Sequence, residues 1–233
     1  MAVIKIQFIS DFVCAWCYIA KRNLDAAIAL YQKIYPGGKD DTFNIIWAPY
    51  YLNYNPYPHS IDKLELANER LADQTPEQRA ALDTRMTRAG KASGIHFNWG
   101  GKLGPSPATR LAHQLVRLAG EAPNDNNDGS KQTALVEALF EAYHCRAQDI
   151  SQPDVLREAA QRAEITSADI VDWLQRDQVG SLIDQEAEAN KAAAGTAGNG
   201  VPTLIIQDMH RPEGIPDAMD LMEIFIQVRE ASA

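Results

Sequence analysis

Two cysteines three positions apart, Cys14 and Cys17, are the residues of this sequence best suited to covalent chemistry. The segment 3–9 before them alternates apolar and polar residues, which predicts a strand, and the apolar residues after them recur at helical spacing. Cys14 is therefore expected at or just before the first turn of a helix. Unpaired N–H groups and the helix dipole favour a thiolate there, so Cys14 is predicted to be the reactive sulfur.

The second cysteine completes a pattern typical of thiol–disulfide exchange. Cys17 lies one helical turn beyond Cys14, close enough to attack a mixed disulfide formed on Cys14 and release the product. Ala15 and Trp16 stand between the two cysteines and are expected to control access to the sulfur. The indole of Trp16 is predicted to form a partly exposed apolar platform beside it.

A zinc site is the alternative interpretation of the cysteine pair. A structural zinc site needs a second pair of Cys or His ligands at comparable spacing. The only other cysteine is Cys145, and none of the 5 histidines forms such a pair beyond the adjacent His144 and Cys145. The pattern therefore favours a redox pair, with no metal and no tightly bound cofactor.

Composition limits the partners and the location of the protein. The net charge of -9 argues against nucleic acid or an anionic membrane as a partner, because both attract concentrated Lys and Arg. Three cysteines are too few for the disulfide framework of a small secreted protein. The sequence shows no signal peptide at its start and no run long enough to span a membrane. A cytoplasmic location is therefore predicted.

The periodicity predicts an α/β protein interrupted by helices. The first helix is expected to end near Tyr35, and an apolar run after it, ending at Pro49, predicts a second strand parallel to the first. Between about residues 60 and 193 every periodic segment reads as helical and no convincing strand appears. The strand signal returns at residues 200–207, with a second short strand around His210 forming a hairpin, and a last helix opens at Pro216.

Helix start signals divide the helical region into segments. Thr75 to Gln78 has the form of a capping box with proline at the first helical position, and Ser106-Pro107 is predicted to open another helix. A further helix begins near Pro153, a short one covers residues 167–175, and a long alanine-rich one covers residues 179–193. Residues 196–200 are expected to form a hinge-like connector.

Some residues have two interpretations. Tyr50, Tyr51, Tyr54 and Tyr57 either line a groove or pack a long ordered loop, and the second is favoured. Cys145 is expected to be a buried structural thiol rather than a third redox partner. Lys21 either adds positive potential to the helix start or is a solvated surface charge, and the surface role is favoured.

Three motifs, DFVCAWCYI at residues 11–19, WAPYYLN at 47–53 and GVPT at 200–203, resemble those of the DsbA superfamily, more closely its FrnE-like branch. The resemblance covers nearly the full chain. It implies a thioredoxin-like fold with a large all-helical insertion between the second and third strands. The first part of that fold would comprise residues 1–58, the insertion 59–195 and the second part 196–233.

The resemblance also implies roles for individual residues. Cys14 would be the attacking thiol and Cys17 the resolving thiol. Pro202 matches the cis-proline of the family, so Val201 would offer its backbone to an extended substrate strand beside the sulfurs. The substrate-binding residues are then Trp16, Val201, Pro202 and Thr203. Ala15 departs from the family, because many relatives have proline there, and the additional C-terminal cysteine pair of some relatives is absent.

The leading functional hypothesis is a thiol–disulfide oxidoreductase that acts on a thiol- or disulfide-containing protein or small molecule, with glutathione as a co-substrate. The alternative is a glutathione-dependent transferase or isomerase, as in the kappa-class transferases and hydroxychromene-carboxylate isomerases, which share the helical-insertion architecture. Those enzymes have a serine at the reactive position, so two cysteines weigh against that class. A binding module with idle cysteines is a third hypothesis, and a homodimer is compatible with the sequence.

Overall fold

The computed structural model describes residues 1–121, 129–165, 170, 173–195 and 200–231. Its strands and helices, in chain order, are β1 (Val3–Ser10), α1 (Ala15–Ile34), β2 (Thr42–Pro49), β3 (Ile61–Asp62), α2 (Lys63–Arg70), α3 (Pro76–Ala92), β4 (Lys102–Leu103), α4 (Arg110–Glu121), α5 (Ser130–His144), α6 (Pro153–Arg162), α7 (Asp177–Gly195), β5 (Thr203–Ile206) and α8 (Ala218–Ala231). No helix of these described ranges is long and apolar enough to cross a membrane.

The chain forms two compact units. One contains residues 1–50 and 188–233, and the other contains residues 51–187. The boundaries thus fall at residues 50 and 188, whereas the sequence placed them at 58 and 196. The last turns of α7 belong to the first unit, where the Asn190 side-chain amide donates a hydrogen bond to the Pro49 carbonyl oxygen (2.9 Å).

A three-stranded mixed sheet with the order β2-β1-β5 forms the centre of the first unit. Strand β1 pairs in parallel with β2, from Val3 opposite Thr42 to Ser10 opposite Pro49, and antiparallel with β5. The predicted strand, helix and parallel strand at the start of the chain are therefore confirmed. The alternation in β1 has the expected cause, because Ile4, Ile6 and Phe8 are fully buried in the core between the sheet and helices α1 and α8.

A buried carboxylate connects three segments at one side of this unit. The side chain of Asp41 accepts hydrogen bonds from the Tyr31 hydroxyl (2.8 Å), the Ala2 backbone N–H and the Arg229 guanidinium (3.1 Å). Burial opposes the charge on Asp41, but these three donors together hold its pKa below the ordinary value. Burial, followed by the hydrogen bond to Asp41, raises the pKa of Tyr31. Asp41 therefore joins α1, α8 and the start of β1 through one charged group.

The second unit is mainly helical, as predicted. Helix α3 begins with the expected capping box, in which Gln78 N–H donates to Thr75 Oγ1 (3.3 Å) and Thr75 N–H donates to Gln78 Oε1 (2.9 Å). The expectation that this region contains no strand is wrong, because β3 and β4 pair antiparallel, Ile61 opposite Leu103. Two residues per strand are too few to leave a periodic pattern in the sequence.

Three other predictions of elements need correction or fall outside the described residues. Helix α4 begins at Arg110 rather than at Ser106-Pro107, because Arg110 N–H donates to the Pro107 carbonyl in a turn before the helix (3.1 Å). The second strand of the last hairpin is reduced to one bridge between Ile206 and His210, since Gln207 has left-handed backbone geometry and closes the turn too early for a longer ladder. The short helix predicted at 167–175 and the connector predicted at 196–200 both lie mostly outside the described residues.

Candidate active site

Three strand ends meet at one edge of the sheet. The parallel strands β1 and β2 end side by side at Ser10 and Pro49, and β5 begins at Thr203 opposite Ile9. Three segments therefore meet at this edge: the loop after β1, the residue after β2 and the loop before β5. The first of these carries the cysteine pair.

Cys14 is the N-cap residue of α1, which is the position that the sequence predicts. Its backbone is extended (φ -87°, ψ 110°), and its N–H donates to the Asp11 carbonyl oxygen (3.0 Å). The Cys14 carbonyl oxygen accepts from the N–H groups of Cys17 and Tyr18, and its sulfur accepts from the Cys17 N–H (3.4 Å). The sulfur of Cys14 thus lies against the unpaired N–H groups of the first helical turn, where negative charge is stabilised.

The two cysteines differ in exposure. Both are thiols; Cys14 is 7% exposed and Cys17 is completely buried. Burial, followed by the hydrogen bond with Cys14 and the charge of Cys14, raises the pKa of Cys17 well above its ordinary value. Only Cys14 has any surface to offer an incoming molecule. The sequence predicts a Cys14 sulfur that is accessible to incoming molecules, whereas the structure shows Cys14 largely covered. Trp16, two residues later, is half-buried.

The loop before β5 covers the sulfur of Cys14. The Cys14 thiol points toward the Val201 carbonyl oxygen at 3.8 Å, and the Val201–Pro202 peptide bond is cis. The hydroxyl of Thr203 donates to the Gly200 carbonyl oxygen (2.7 Å), and this hydrogen bond fixes the conformation of the loop. Val201 is partly exposed, whereas Pro202 and Thr203 are buried. Of these three predicted substrate-binding residues, Val201 is the most exposed.

Tyr50, for which the sequence favours a packing role in a loop, lies beside the cysteine site. Its ring packs with Val201 against a small buried cluster of Ile9, Ala48 and Ile205. Its hydroxyl oxygen lies 3.9 Å from the position that a Cβ atom on Gly200 would occupy. The sequence contains one usable signal, because Tyr50 directly follows a strand that is parallel to the strand before the cysteines.

The other three tyrosines of this segment belong to the helical unit. Tyr51 and Tyr57 line a pocket of about 740 Å³, and Tyr54 lines a neighbouring one of about 380 Å³. The guanidinium of Arg70 lies over the Tyr54 ring at 3.4 Å. The favoured expectation, that these rings only pack a loop, is therefore corrected, because the three rings line open surface pockets.

Two further expectations are corrected. Lys21 is not a solvated surface charge, because it is 3% exposed and its ammonium pairs with Asp25 at 2.7 Å on the same helix. Cys145 is half-buried at the end of α5 rather than fully buried. Within the described ranges no group of three or more His, Cys, Asp or Glu side chains is placed to hold a metal ion.

The βαβ unit, the antiparallel returning strand and the cysteine pair at the start of α1 define a thioredoxin-like protein with a large helical insertion. The model of the DSBA-like thioredoxin domain matches residues 5–225, and the chain belongs to that family. The resemblance to the DsbA superfamily and the predicted fold class are thereby confirmed. This is a family of thiol–disulfide oxidoreductases.

Known proteins similar to this chain agree with the family assignment. The uncharacterized protein YwbO of Bacillus subtilis (strain 168) is 26% identical over 206 residues, covering 88% of each chain. A probable DsbA oxidoreductase from Streptomyces coelicolor has a similar structure, with a TM-score of 0.74 and 18% identity over 96% of this chain and 89% of that one. The cytosolic disulfide reductase DsbM from Pseudomonas aeruginosa, solved with GSH, has a TM-score of 0.60 and 15% identity over 97% and 99% of the two chains.

Proposed function

We propose that the protein exchanges thiols and disulfides through Cys14 and Cys17, with Cys14 attacking and Cys17 resolving. The observation that carries the proposal is the contrast within the pair. Cys14 caps α1 with a small exposed surface, whereas Cys17 is completely buried one turn along and its N–H contacts the Cys14 sulfur. An incoming disulfide therefore meets Cys14 first.

The reduction of a substrate proceeds in two exchanges. The Cys14 thiolate attacks one sulfur of the substrate disulfide; that S–S bond breaks, and the other substrate sulfur leaves as a thiolate that takes up a proton. Cys17 then loses its proton and attacks the Cys14 sulfur, which breaks the mixed disulfide and releases the substrate as a dithiol. The substrate gains two electrons and the cysteine pair loses two. The oxidation of a substrate dithiol is the reverse sequence.

Glutathione is the proposed co-substrate that returns the pair to its reduced form. Two glutathione thiols are oxidised to one glutathione disulfide while the Cys14–Cys17 disulfide is reduced to two thiols. The similarity to DsbM, solved with GSH, supports this choice. DsbM is a cytosolic protein, and the similarity to it also supports a cytoplasmic location. The FrnE-like branch is proposed on the motifs at residues 47–53 and 200–203.

Serine variants test the proposal. Turnover of a peptide disulfide with glutathione should fall to the uncatalysed rate in Cys14→Ser, and intact mass spectrometry should show a mixed disulfide accumulating on Cys14 in Cys17→Ser. Cys145→Ser is the control, because it removes the thiol outside the pair and should leave turnover unchanged. Full turnover in Cys17→Ser would instead support a glutathione-dependent transferase or isomerase. Full turnover in Cys14→Ser would overturn the proposal.

A further inference from the structure

The phenol of Tyr50 lies beside the loop where the proposed exchange takes place. Tyr50 follows β2 at the edge where Cys14 follows β1 and Val201 precedes β5. Its ring and the Val201 side chain pack on the same three-residue cluster, and its hydroxyl extends toward Gly200. The Cys14 sulfur lies 3.8 Å from the Val201 carbonyl oxygen, and the Tyr50 hydroxyl lies near Gly200. The sulfur and the phenol therefore lie beside adjacent residues of the same loop.

Among the described residues, no group uses the hydrogen-bonding capacity of the Tyr50 hydroxyl. Tyr50 is half-buried, and within the part of the chain that the structure describes its hydroxyl makes no hydrogen bond. Tyr31, Tyr51 and Tyr57, by contrast, donate to carboxylates of Asp41, Asp184 and Glu69. A phenol can both donate and accept, and a half-buried one is usually placed where an apolar wall meets a polar partner.

We infer that Tyr50 is a positioning residue for substrate, and that the substrate class is a polypeptide disulfide or thiol. This inference rests on the proposed exchange at Cys14. A polypeptide whose sulfur reaches Cys14 lies along Val201, because Val201 is partly exposed and its carbonyl oxygen is the backbone acceptor next to the sulfur. Its peptide groups then pass Gly200, where the Tyr50 hydroxyl hydrogen-bonds one of them while the ring contacts an apolar side chain. A small disulfide without peptide groups has no N–H or C=O group to hydrogen-bond with this hydroxyl.

The test removes the hydroxyl alone. Tyr50→Phe is compared with the unaltered protein on two substrates, a disulfide-linked peptide and diethyl disulfide, whose only polarisable groups are its sulfurs. Turnover is followed through the oxidation of glutathione. For the peptide, KM should rise about fivefold in Tyr50→Phe, the equivalent of one hydrogen bond of about 1 kcal/mol, with kcat unchanged. For diethyl disulfide, kcat/KM should stay within about twofold.

Tyr35→Phe is the matched control. Tyr35 lies at the C-terminal end of helix α1 in the same unit, about 30 Å along the helix axis from the cysteines, and its ring stacks on Tyr31. This variant should change neither substrate's kinetics. The rate at which iodoacetamide alkylates Cys14 should be equal in all three proteins, which shows that the sulfur and its surroundings are intact.

Two results would overturn the inference while leaving the proposed function standing. An unchanged peptide KM in Tyr50→Phe would show that the hydroxyl meets no substrate group. An equal loss on both substrates would assign the hydroxyl a structural role. Turnover retained in Cys14→Ser would overturn the proposed function itself, and the inference with it.

Discussion

The sulfur of Cys14 lies 3.8 Å from the carbonyl oxygen of Val201, a residue 187 positions later in the chain. The sheet creates this proximity, because β1 and β5 are antiparallel neighbours and Ile9 pairs with Thr203. The carbonyl is a hydrogen-bond acceptor, so it accepts weakly from the thiol in the resting protein and is available to a substrate N–H once the sulfur reacts. The proposed reactive sulfur and the proposed backbone site for substrate are therefore positioned by one ladder of hydrogen bonds.

The second exchange should depend steeply on pH. Burial raises the pKa of Cys17, so only a small fraction of this thiol is ionised near neutrality, and that fraction grows about tenfold for each pH unit below the pKa. The rate at which Cys17 resolves a mixed disulfide on Cys14 should rise accordingly between about pH 6 and pH 8. Stopped-flow measurement of substrate release after a rapid first exchange gives this rate.

The same profile measured on Cys17→Ser is the control for this prediction. The variant forms the mixed disulfide and has no second exchange, so its substrate release should show no comparable rise. A resolution rate that is flat with pH in the unaltered protein would contradict a raised Cys17 pKa.

Thr203→Val should weaken turnover without unfolding the protein. The substitution keeps the volume of the side chain and removes the hydroxyl that donates to the Gly200 carbonyl (2.7 Å). The loop that carries Val201 then loses a brace of about 1 kcal/mol, and we expect kcat/KM for a peptide disulfide to fall about fivefold. Thr203→Ser retains the hydroxyl and should recover most of the loss. Equal kinetics of Thr203→Val and the unaltered protein would show that the brace does not matter.

Asp41→Asn should destabilise the sheet unit. The substitution leaves the partly buried Arg229 guanidinium without its counter-charge, which costs about 2 kcal/mol of unfolding free energy. Urea unfolding at neutral pH measures this loss. Tyr31→Phe, which removes only one hydrogen bond to the same carboxylate, should cost about 1 kcal/mol. A larger loss in Tyr31→Phe than in Asp41→Asn would contradict the central role of the carboxylate.

The same two residues predict the pH limits of stability. The folded-state pKa of Asp41 is lowered, so its stabilisation is complete above the unfolded pKa of about 4 and is lost as pH falls through the folded pKa. The folded-state pKa of Tyr31 is raised, so its stabilisation is present below about pH 10 and is lost as pH rises beyond it. Stability curves of Asp41→Asn and Tyr31→Phe should be flatter on the acid and alkaline sides respectively.

A pair of glycines in the helical unit gives a matched packing prediction. Gly101 and Gly129 both have left-handed backbones (φ 86° and 71°). A Cβ atom on Gly101 would overlap the backbone of Ala147, whereas one on Gly129 would have no atom within 4 Å. Gly129→Ala should therefore cost about 1 kcal/mol from backbone strain alone, and Gly101→Ala roughly 3 kcal/mol or more. Comparable losses in urea unfolding would contradict this packing.

The sequence predicts the features that depend on local chemistry. The N-cap position of Cys14 follows from a strand pattern that changes to a helical one within a few residues. The capping box of Thr75 and Gln78 and the parallel pairing of the first two strands follow equally from short-range signals. The family resemblance depends on the same local motifs.

The features that the sequence does not predict depend on tertiary contacts. Lys21 is buried because other parts of the sheet unit cover α1, and no pattern around residue 21 encodes that cover. Strand β3 is defined only by its partner 40 residues away, since two residues have no period. Tyr50 enters the site through the alignment of two strand ends, which is known only after the register of β1 and β2 is known.

The carboxylate of Asp41 has one more consequence. It binds the backbone of Ala2 through one oxygen and the guanidinium of Arg229 through the other. The start of the first strand and the last helix are therefore held by one common anchor, so a displacement of either one strains the other.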